Sequence, residues 1–497
     1  MICLARAFIG LTGTRIYSHD TFALLDPAWR ILNGQIPHAD FFDSLGPAAY
    51  LPTVAGLLLA GGKAEGFGCG QALCALSLGF WSYLISRDRL SDAGRLLFCL
   101  VVVSSAAAPF ALGDSPFLIS PATTYNRYGY AFTALILLEG IMEPKDKRAW
   151  AEMVGGVSTG AVLVLLLFLK ITFFIGAALL VAVLAACRPQ ARVRWNAMLL
   201  GFVATMLLFS AYLRFDLRPM WQDFAMLAGA KHINPADYMI ESILESAGLL
   251  FVFTVSAALF LLDQNRSKQA RTALISGAAV CLAGLLFIFT SYERAGFPLQ
   301  AILPILVVDL LTARIRVVSR LEKTFLFSIL LWAGALILTS LVPNAVSLSY
   351  GVAHKIRINH RYEPMHSPAL SRFIPIQEDQ AYQLFVNDGI ALLKQYRRLG
   401  DSVMSLDFTN PFSYGLAMKP ARGGAICLQY RTTFDDAHKP SPEWLFGYAT
   451  LVMVPKQFSD GTLDDSIPRL YGPYLRDHFS FVSESAQWRL YRNRLNL

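Results

Sequence analysis

Apolar runs alternate with short charged loops along the first 340 residues of this chain. Runs lie near 45–62, 68–85, 96–112 and 129–142, then near 195–213, 245–263, 272–290, 298–313 and 324–342. A longer run, 153–187, is interrupted only by Lys170 and reads as two helices turning at that residue. Runs of about 17–20 apolar residues match the roughly 30 Å of hydrocarbon that a spanning helix must cross. In lipid only helices and closed barrels satisfy their backbone, and these runs are too continuous for alternating barrel strands. The pattern predicts an α-helical polytopic membrane protein with eleven or twelve apolar segments. Residues 1–17 carry a short apolar patch with Arg6 and Arg15 and make a poor signal peptide and a weak spanning helix.

Beyond residue 343 the pattern changes. Apolar runs shorten to about five to eight residues, and polar, aromatic and proline residues rise. QAYQLFVNDGIALLKQYRRLG has helical spacing and a glycine stop, DSVMSLDF and ATLVMVP read as buried strands, and SFVSESAQWRLYRN alternates like a terminal hairpin. The chain therefore divides into a transmembrane domain, 1–342, and a C-terminal α/β soluble domain, 343–497.

Basic residues set the orientation. Loops 86–95, 143–151, 188–194, 264–271 and 314–323 hold 16 Lys and Arg in 44 positions, whereas the opposite set (14–43, 113–128, 170, 214–244, 290–297) holds 8 in 86. The first set is expected in the cytoplasm, which puts the C-terminal domain outside. One conflict arises upstream. If both 45–62 and 68–85 cross, loop 17–47 falls on the cytoplasmic side; Pro47 and Pro52 favour a re-entrant or interfacial first segment that keeps it outside.

Composition fits this class. Hydrophobic residues make up 55% of the 497 and charged residues 16%, against about 25% charged in soluble proteins. The net charge of +8 lies mostly in short loops, so it reads as topology and not as a nucleic-acid surface. Six of the seven cysteines fall in or beside apolar segments and only Cys427 lies in the tail, which excludes a disulfide framework and metal-ligand spacing. No P-loop, G-x-G-x-x-G or Ser-His-Asp order is present.

The densest chemistry lies between Tyr17 and Pro47, YSHDTFALLDPAWRILNGQIPHADFFDSLGP, which holds Asp20, Asp26, Asp40 and Asp43. Acids at a membrane face are costly unless hydrated, paired or employed. Asp26-Pro27 reads as an N-cap followed by proline at the first helical position, and Gly34 closes a short helix AWRILN. Phe41 and Phe42, between Asp40 and Asp43, suit a membrane interface.

This layout, His19-Asp20, a short helix ending in glycine, then D-F-F-D-x-x-G-P into an apolar helix, resembles the first extracytoplasmic loop of GT-C membrane glycosyltransferases. The specific motif covers about thirty residues. It departs from the family's Asp-Glu and Lys-Pro-Pro-like steps, having His-Asp and Leu-Gly-Pro. The resemblance implies a bacterial inner-membrane glycosyltransferase of inverting type, taking sugar from a polyprenyl-phosphate donor to an extracytoplasmic lipid or glycan hydroxyl. It implies Asp20 as catalytic base. Asp40 and Asp43 are candidates for metal or acceptor contact, and Arg127, Lys170 and Arg294 for phosphate. Lys231-His232 is a further donor-site candidate. Many relatives carry a second acid where this chain has Asn126-Arg127, so a divalent cation is optional. Each candidate has a plainer reading: solvated loop acids for the aspartates, a snorkelling side chain for Arg127, a partner in Glu293 for Arg294. Competing functions are a flippase or transporter of lipid-linked sugar, a glycan polymerase or ligase, and a non-catalytic scaffold.

Overall fold

The apolar runs fold as helices in the computed structural model, which describes residues 1–145, 149–187, 191–231, 246–262, 268–291, 298–314, 320–358, 364–446 and 448–496. Five helices among these are long and apolar enough to cross a membrane: Gly66–Ser86, Ala149–Leu169, Arg192–Tyr212, Arg271–Thr290 and Lys323–Ile358. Shorter apolar helices, among them Ile171–Cys187, Ala247–Leu261 and Leu299–Leu311, pack among them. The polytopic reading of the sequence holds. So does the turn at Lys170, which separates helix Ala149–Leu169 from Ile171–Cys187.

The helix at 45–62 is shorter than a spanning segment needs. The helix there is Leu51–Leu59, nine residues long, or roughly 14 Å against 30 Å of hydrocarbon. Its start hangs from Leu169, whose carbonyl accepts the Gly46 N–H, and from Asp43, which accepts the Tyr50 hydroxyl. Its end turns back beside the tail, where Ala64 N–H donates to the Ala369 carbonyl and the Tyr414 hydroxyl to that of Gly62. Both ends thus lie on the tail side. The hairpin closes on glycine: a Cβ on Gly56 would stand 1.9 Å from the Gly66 carbonyl oxygen.

Loops gather at two ends of the bundle. At one end Asp309 accepts from Ser91, Arg89 donates to the Met142 carbonyl, and Arg194 pairs with Glu139 at 3.2 Å. These residues fall in or beside loops rich in Lys and Arg. The other end carries the acidic loop and the tail. The last long helix does not stop where the composition changes; it runs from Arg320 to Ile358 with Pro343 inside it.

The tail has the expected elements. Helix Gln380–Tyr396 packs beside a four-stranded sheet in the order β3-β4-β6-β5. Here β3 is Val403–Ser405, β4 Leu451–Pro455, β5 Phe479–Glu484 and β6 Trp488–Asn493. β3 and β4 run parallel, and β5 and β6 form the terminal antiparallel pair. A further pairing was not legible in the sequence: β1 (Thr12–Thr14) lies parallel to β2 (Ile374–Pro375), fastening the N-terminus to the tail.

Asp26 is not a cap. The helix begins at Phe22 and carries Asp26 and Pro27 in its interior, running to Leu32. Phe22, Leu24 and Leu25 are buried, and Phe22 packs at 5.8 Å from Phe373 of the tail, so tertiary burial starts the helix earlier than local capping chemistry would. The Asp26 carboxylate turns instead to Arg30, 2.7 Å away, in a fully buried i,i+4 pair. The expected glycine stop holds. Gln35 N–H donates to the Arg30 carbonyl and Gly34 N–H to that of Ile31, with Gly34 at φ 84°, the paired bonds of a Schellman close. We predict that Gly34→Ala costs about 1–2 kcal/mol from left-handed backbone strain alone, because no neighbour lies within contact of the new Cβ. Thermal unfolding in detergent would register it; an unchanged midpoint would mean the turn relaxes.

Candidate active site

Where the acidic loop, the turn at Lys170 and the tail meet, they enclose a cavity of about 670 Å³, within the range of small-molecule pockets. Asp20 enters from the 3₁₀ turn Ser18–Thr21, which follows Tyr17 in the left-handed region at φ 58°. The turn is tied down at both ends. Ser18 N–H and hydroxyl donate to Asp379, and the Thr409 hydroxyl donates to the His19 carbonyl. The His19 ring stands edge-on to Phe408 at 5.0 Å, with Nε2 3.5 Å from Asp20 Oδ1. Burial raises the Asp20 carboxyl above its ordinary value, His19 opposes the rise, and Asp379 and Asp460 add to it. A carboxylate so placed is a stronger base than a solvated one.

Facing it are two ammonium groups. Lys170, in the break between two apolar helices, donates to Asn126 Oδ1 at 3.2 Å and lies 3.4 Å from the Thr290 carbonyl oxygen. Lys231, at the C-cap of helix Arg218–Ala230, donates to that same carbonyl at 2.9 Å. Both therefore converge on the C-terminal turn of helix Lys268–Ser291, where exposed carbonyls favour cations. Burial lowers the Lys231 ammonium to about 8. The remaining lining is mixed. Leu45, Ile171, Phe224 and Leu227 are apolar, and the tail supplies Phe408 and Ile426 beside Gln429, Thr432, Ser459 and Asp460.

Of the residues singled out in the sequence, Asp20, Lys170 and Lys231 come together here. The others do not. Arg127 donates to the Phe110 carbonyl through Nε and Nη2 and to that of Ser105 through Nη1, with its guanidinium 4.5 Å over the Phe110 ring. It is a buried brace between Ser105, Phe110 and its own helix and is not among the residues that line the cavity. Asp40 and Asp43 also lie outside that lining. Asp40 accepts the Ile36 N–H and pairs with Arg422 at 2.9 Å, clamping its own turn to the tail. Burial raises the Asp43 carboxyl to about 6, opposed by His38 and by the bonds it accepts from the Tyr50 hydroxyl and Leu45 N–H. Phe41 and Phe42 are core residues and not interfacial, because strand-like bonds link Phe42 to Gly424 and Ile426 of the tail. Arg294, Glu293 and His232 lie outside the described residues. Among the described residues no group of three His, Cys, Asp or Glu side chains is placed to hold a metal ion. The tail turn Asp407-Asn410-Pro411 keeps its structural role: Asp407 accepts from Ser459 N–H and hydroxyl, and Asn410 Oδ1 from Phe412 N–H.

Sequence reasoning missed Asp460 and the polar residues of the tail lining, which only the folded contacts place near Asp20. It also passed over His38 and Asp223, a buried pair 2.8 Å apart from segments 185 residues distant in sequence.

No family model and no curated protein matches the chain. Two solved structures align along nearly its whole length: ArnT from Cupriavidus metallidurans in the apo state, and ArnT from the same organism bound to undecaprenyl phosphate. Each is 12% identical with a TM-score of 0.45, covering 98% and 99% of this chain respectively and 96% of theirs. A likeness of that degree assigns nothing to individual residues.

Proposed function

We propose that this chain is a membrane glycosyltransferase of the bacterial inner membrane, its cavity and tail facing outward. It moves a sugar from a polyprenyl-phosphate carrier to a lipid or glycan hydroxyl. One observation carries the reading: a carboxylate biased toward basicity and two half-buried ammonium groups share a single cavity lined by both apolar and polar residues. Direct glycosyl transfer needs these parts. The acceptor oxygen forms a bond to the anomeric carbon and gives its proton to Asp20. The bond from that carbon to the phosphate oxygen breaks, its electron pair leaving on the phosphate, where Lys170 and Lys231 offset the growing negative charge. The prenyl chain fits the apolar lining, and the acceptor the tail residues Gln429, Thr432 and Asp460. A solvated carboxylate opposite unburied lysines would serve none of these steps well, since charges act most strongly where water is excluded.

The pH dependence tests the assignment. Asp20 must be ionised, and its raised value puts the acid limb above the usual carboxylate range. Lys231 must be protonated, so kcat/KM falls as pH climbs past about 8. Lys231→Arg keeps its charge at any working pH and is expected to move the alkaline limb upward by at least one unit. The assay is transfer from a radiolabelled polyprenyl-phosphate sugar into wild-type membranes, followed by the profile of the variant. An alkaline limb that stays put would take Lys231 out of the phosphate site. Absence of any transfer across a panel of such donors would sink the reading itself.

A further inference from the structure

The helix that carries Lys231 is short, thirteen residues, and is not among the helices long enough to span. Its inner side supplies Phe224, Leu227 and Ala228 to the cavity wall, while Trp221 on its outer side is about half exposed. Something must hold it in register with the acidic loop. The side chain placed to do so is His38, whose backbone sits at φ 68°, a costly region for a residue with a Cβ. Its imidazole is 2% exposed and lies between two carboxylates from different segments. Nδ1 is 2.8 Å from Asp223 Oδ2 on the helix, and since a carboxylate only accepts, Nδ1 carries the hydrogen. On the other side Nε2 is 3.8 Å from Asp43 Oδ2. Asp43 closes the ring, its backbone N–H donating to the same Asp223 oxygen at 3.1 Å, and its other carboxylate oxygen accepts from Tyr50. The ring also stands edge-on to Phe224 at 5.5 Å.

We infer that His38 is a positioning residue. Bonded to Asp223 and set beside Asp43, it straps helix Arg218–Ala230 to the acidic loop and so fixes Lys231 and the part of the cavity wall that this helix supplies. The link to phosphate binding rests on the function proposed above; the strap itself does not. A bond between groups 185 residues apart that merely filled space would tolerate any substitution of equal volume. A strap requires the donor at Nδ1. Asn places a side-chain N–H close to that position and tolerates the left-handed backbone, so His38→Asn conserves the strap, whereas His38→Ala removes it. Asp223→Ala breaks the same contact from the helix side.

Two measurements on the full-length protein in detergent micelles separate the possibilities. The first is hydrogen–deuterium exchange of peptides covering 218–230. His38→Ala and Asp223→Ala are each expected to speed exchange there at least tenfold, His38→Asn to stay within threefold of wild type, and the double alanine variant to match either single one. Unchanged exchange in both single variants overturns the strap, as does a global acceleration that Asn fails to rescue. The second is binding of undecaprenyl phosphate. A dissociation constant raised about tenfold by either alanine variant and restored by Asn supports the phosphate link. Normal binding alongside fast exchange overturns that link and leaves the strap standing. Failure of the wild type itself to bind counts against the proposed function, and the exchange result then decides the strap alone.

Discussion

Asp20→Asn is expected to abolish measurable sugar transfer while the protein still accumulates in membranes and still binds a polyprenyl phosphate. The amide keeps the size of the carboxylate and its contact with the His19 side, but it cannot take a proton. Loss of a positioned general base costs on the order of 10²–10⁴ in rate, here drawn from kcat, since the proposed function assigns the donor's phosphate and lipid to Lys170, Lys231 and the apolar lining and not to Asp20. The fold should tolerate the change. Asp20 is about one-quarter exposed, its nearest cation is His19 at 3.5 Å, and burial disfavours its charged form. Neutralising it removes a cost. The measurement is the envelope glycan profile of cells carrying wild type, deletion or Asp20→Asn, with membrane levels checked by blotting. An Asn variant that matches the deletion at normal abundance identifies the base. One that matches wild type reduces Asp20 to a loop acid, and Asp460, the other cavity acid, becomes the next residue to change.

What the sequence revealed depended on distance along the chain. Spanning helices were legible because lipid enforces continuous apolarity over a local window, and the same window exposed the single break at Lys170. The strands at Val403 and Leu451 and the Gly34 stop are equally local signals. Asp26 was misread for the converse reason. Asp-Pro is a good helix start in isolation, yet Phe22 and its neighbours bury against the tail and pull the start five residues upstream. The interfacial reading of Phe41-Phe42 failed the same way, because bonds to Gly424 and Ile426 make that segment a tail-docking strand. Candidate chemistry followed the rule too. Asp20 stood out as a loop acid and Lys170 as a lone cation among apolar residues. That Lys231 joins them, that Arg127 does not, and that His38 reaches Asp223 are facts of tertiary packing with no periodic trace. Of the long-range pairings that build the cavity, those of Ser18, His19 and His38 involve the acidic loop or the tail, whereas Lys170 and Lys231 meet at Thr290 between other segments.

Removing the Lys170 charge is the second large effect. Lys170→Met preserves the length and much of the volume of the stem in the helix break, so the packing of Tyr125 and Phe173 around it, each within 6 Å of Nζ, is retained. The ammonium is what disappears. Loss of one preorganised donor to a developing anion costs on the order of 10²–10³ in kcat, and loss of ground-state attraction to the phosphate should weaken polyprenyl-phosphate binding as well. The partner lysine makes the experiment sharper. Lys170 and Lys231 meet at one carbonyl oxygen, that of Thr290, so under the proposed function they would serve the same phosphate and their losses should not add. The double Met variant is therefore expected to fall well short of the product of the two single losses. Lys170→Arg is expected to recover only part of the activity, since a planar guanidinium must aim differently from a point charge on a flexible stem. Salt supplies an independent check. Attraction between a lipid phosphate and ammonium groups inside a water-poor cavity is screened less than a surface pair, so wild-type affinity should change little between low and physiological ionic strength. Lys170→Met that transfers sugar at the wild-type rate would show that the cation in the helix break serves only the bundle. Steep salt dependence with full additivity would place the donor phosphate at the cavity mouth, and Lys231 alone would then be the residue to pursue.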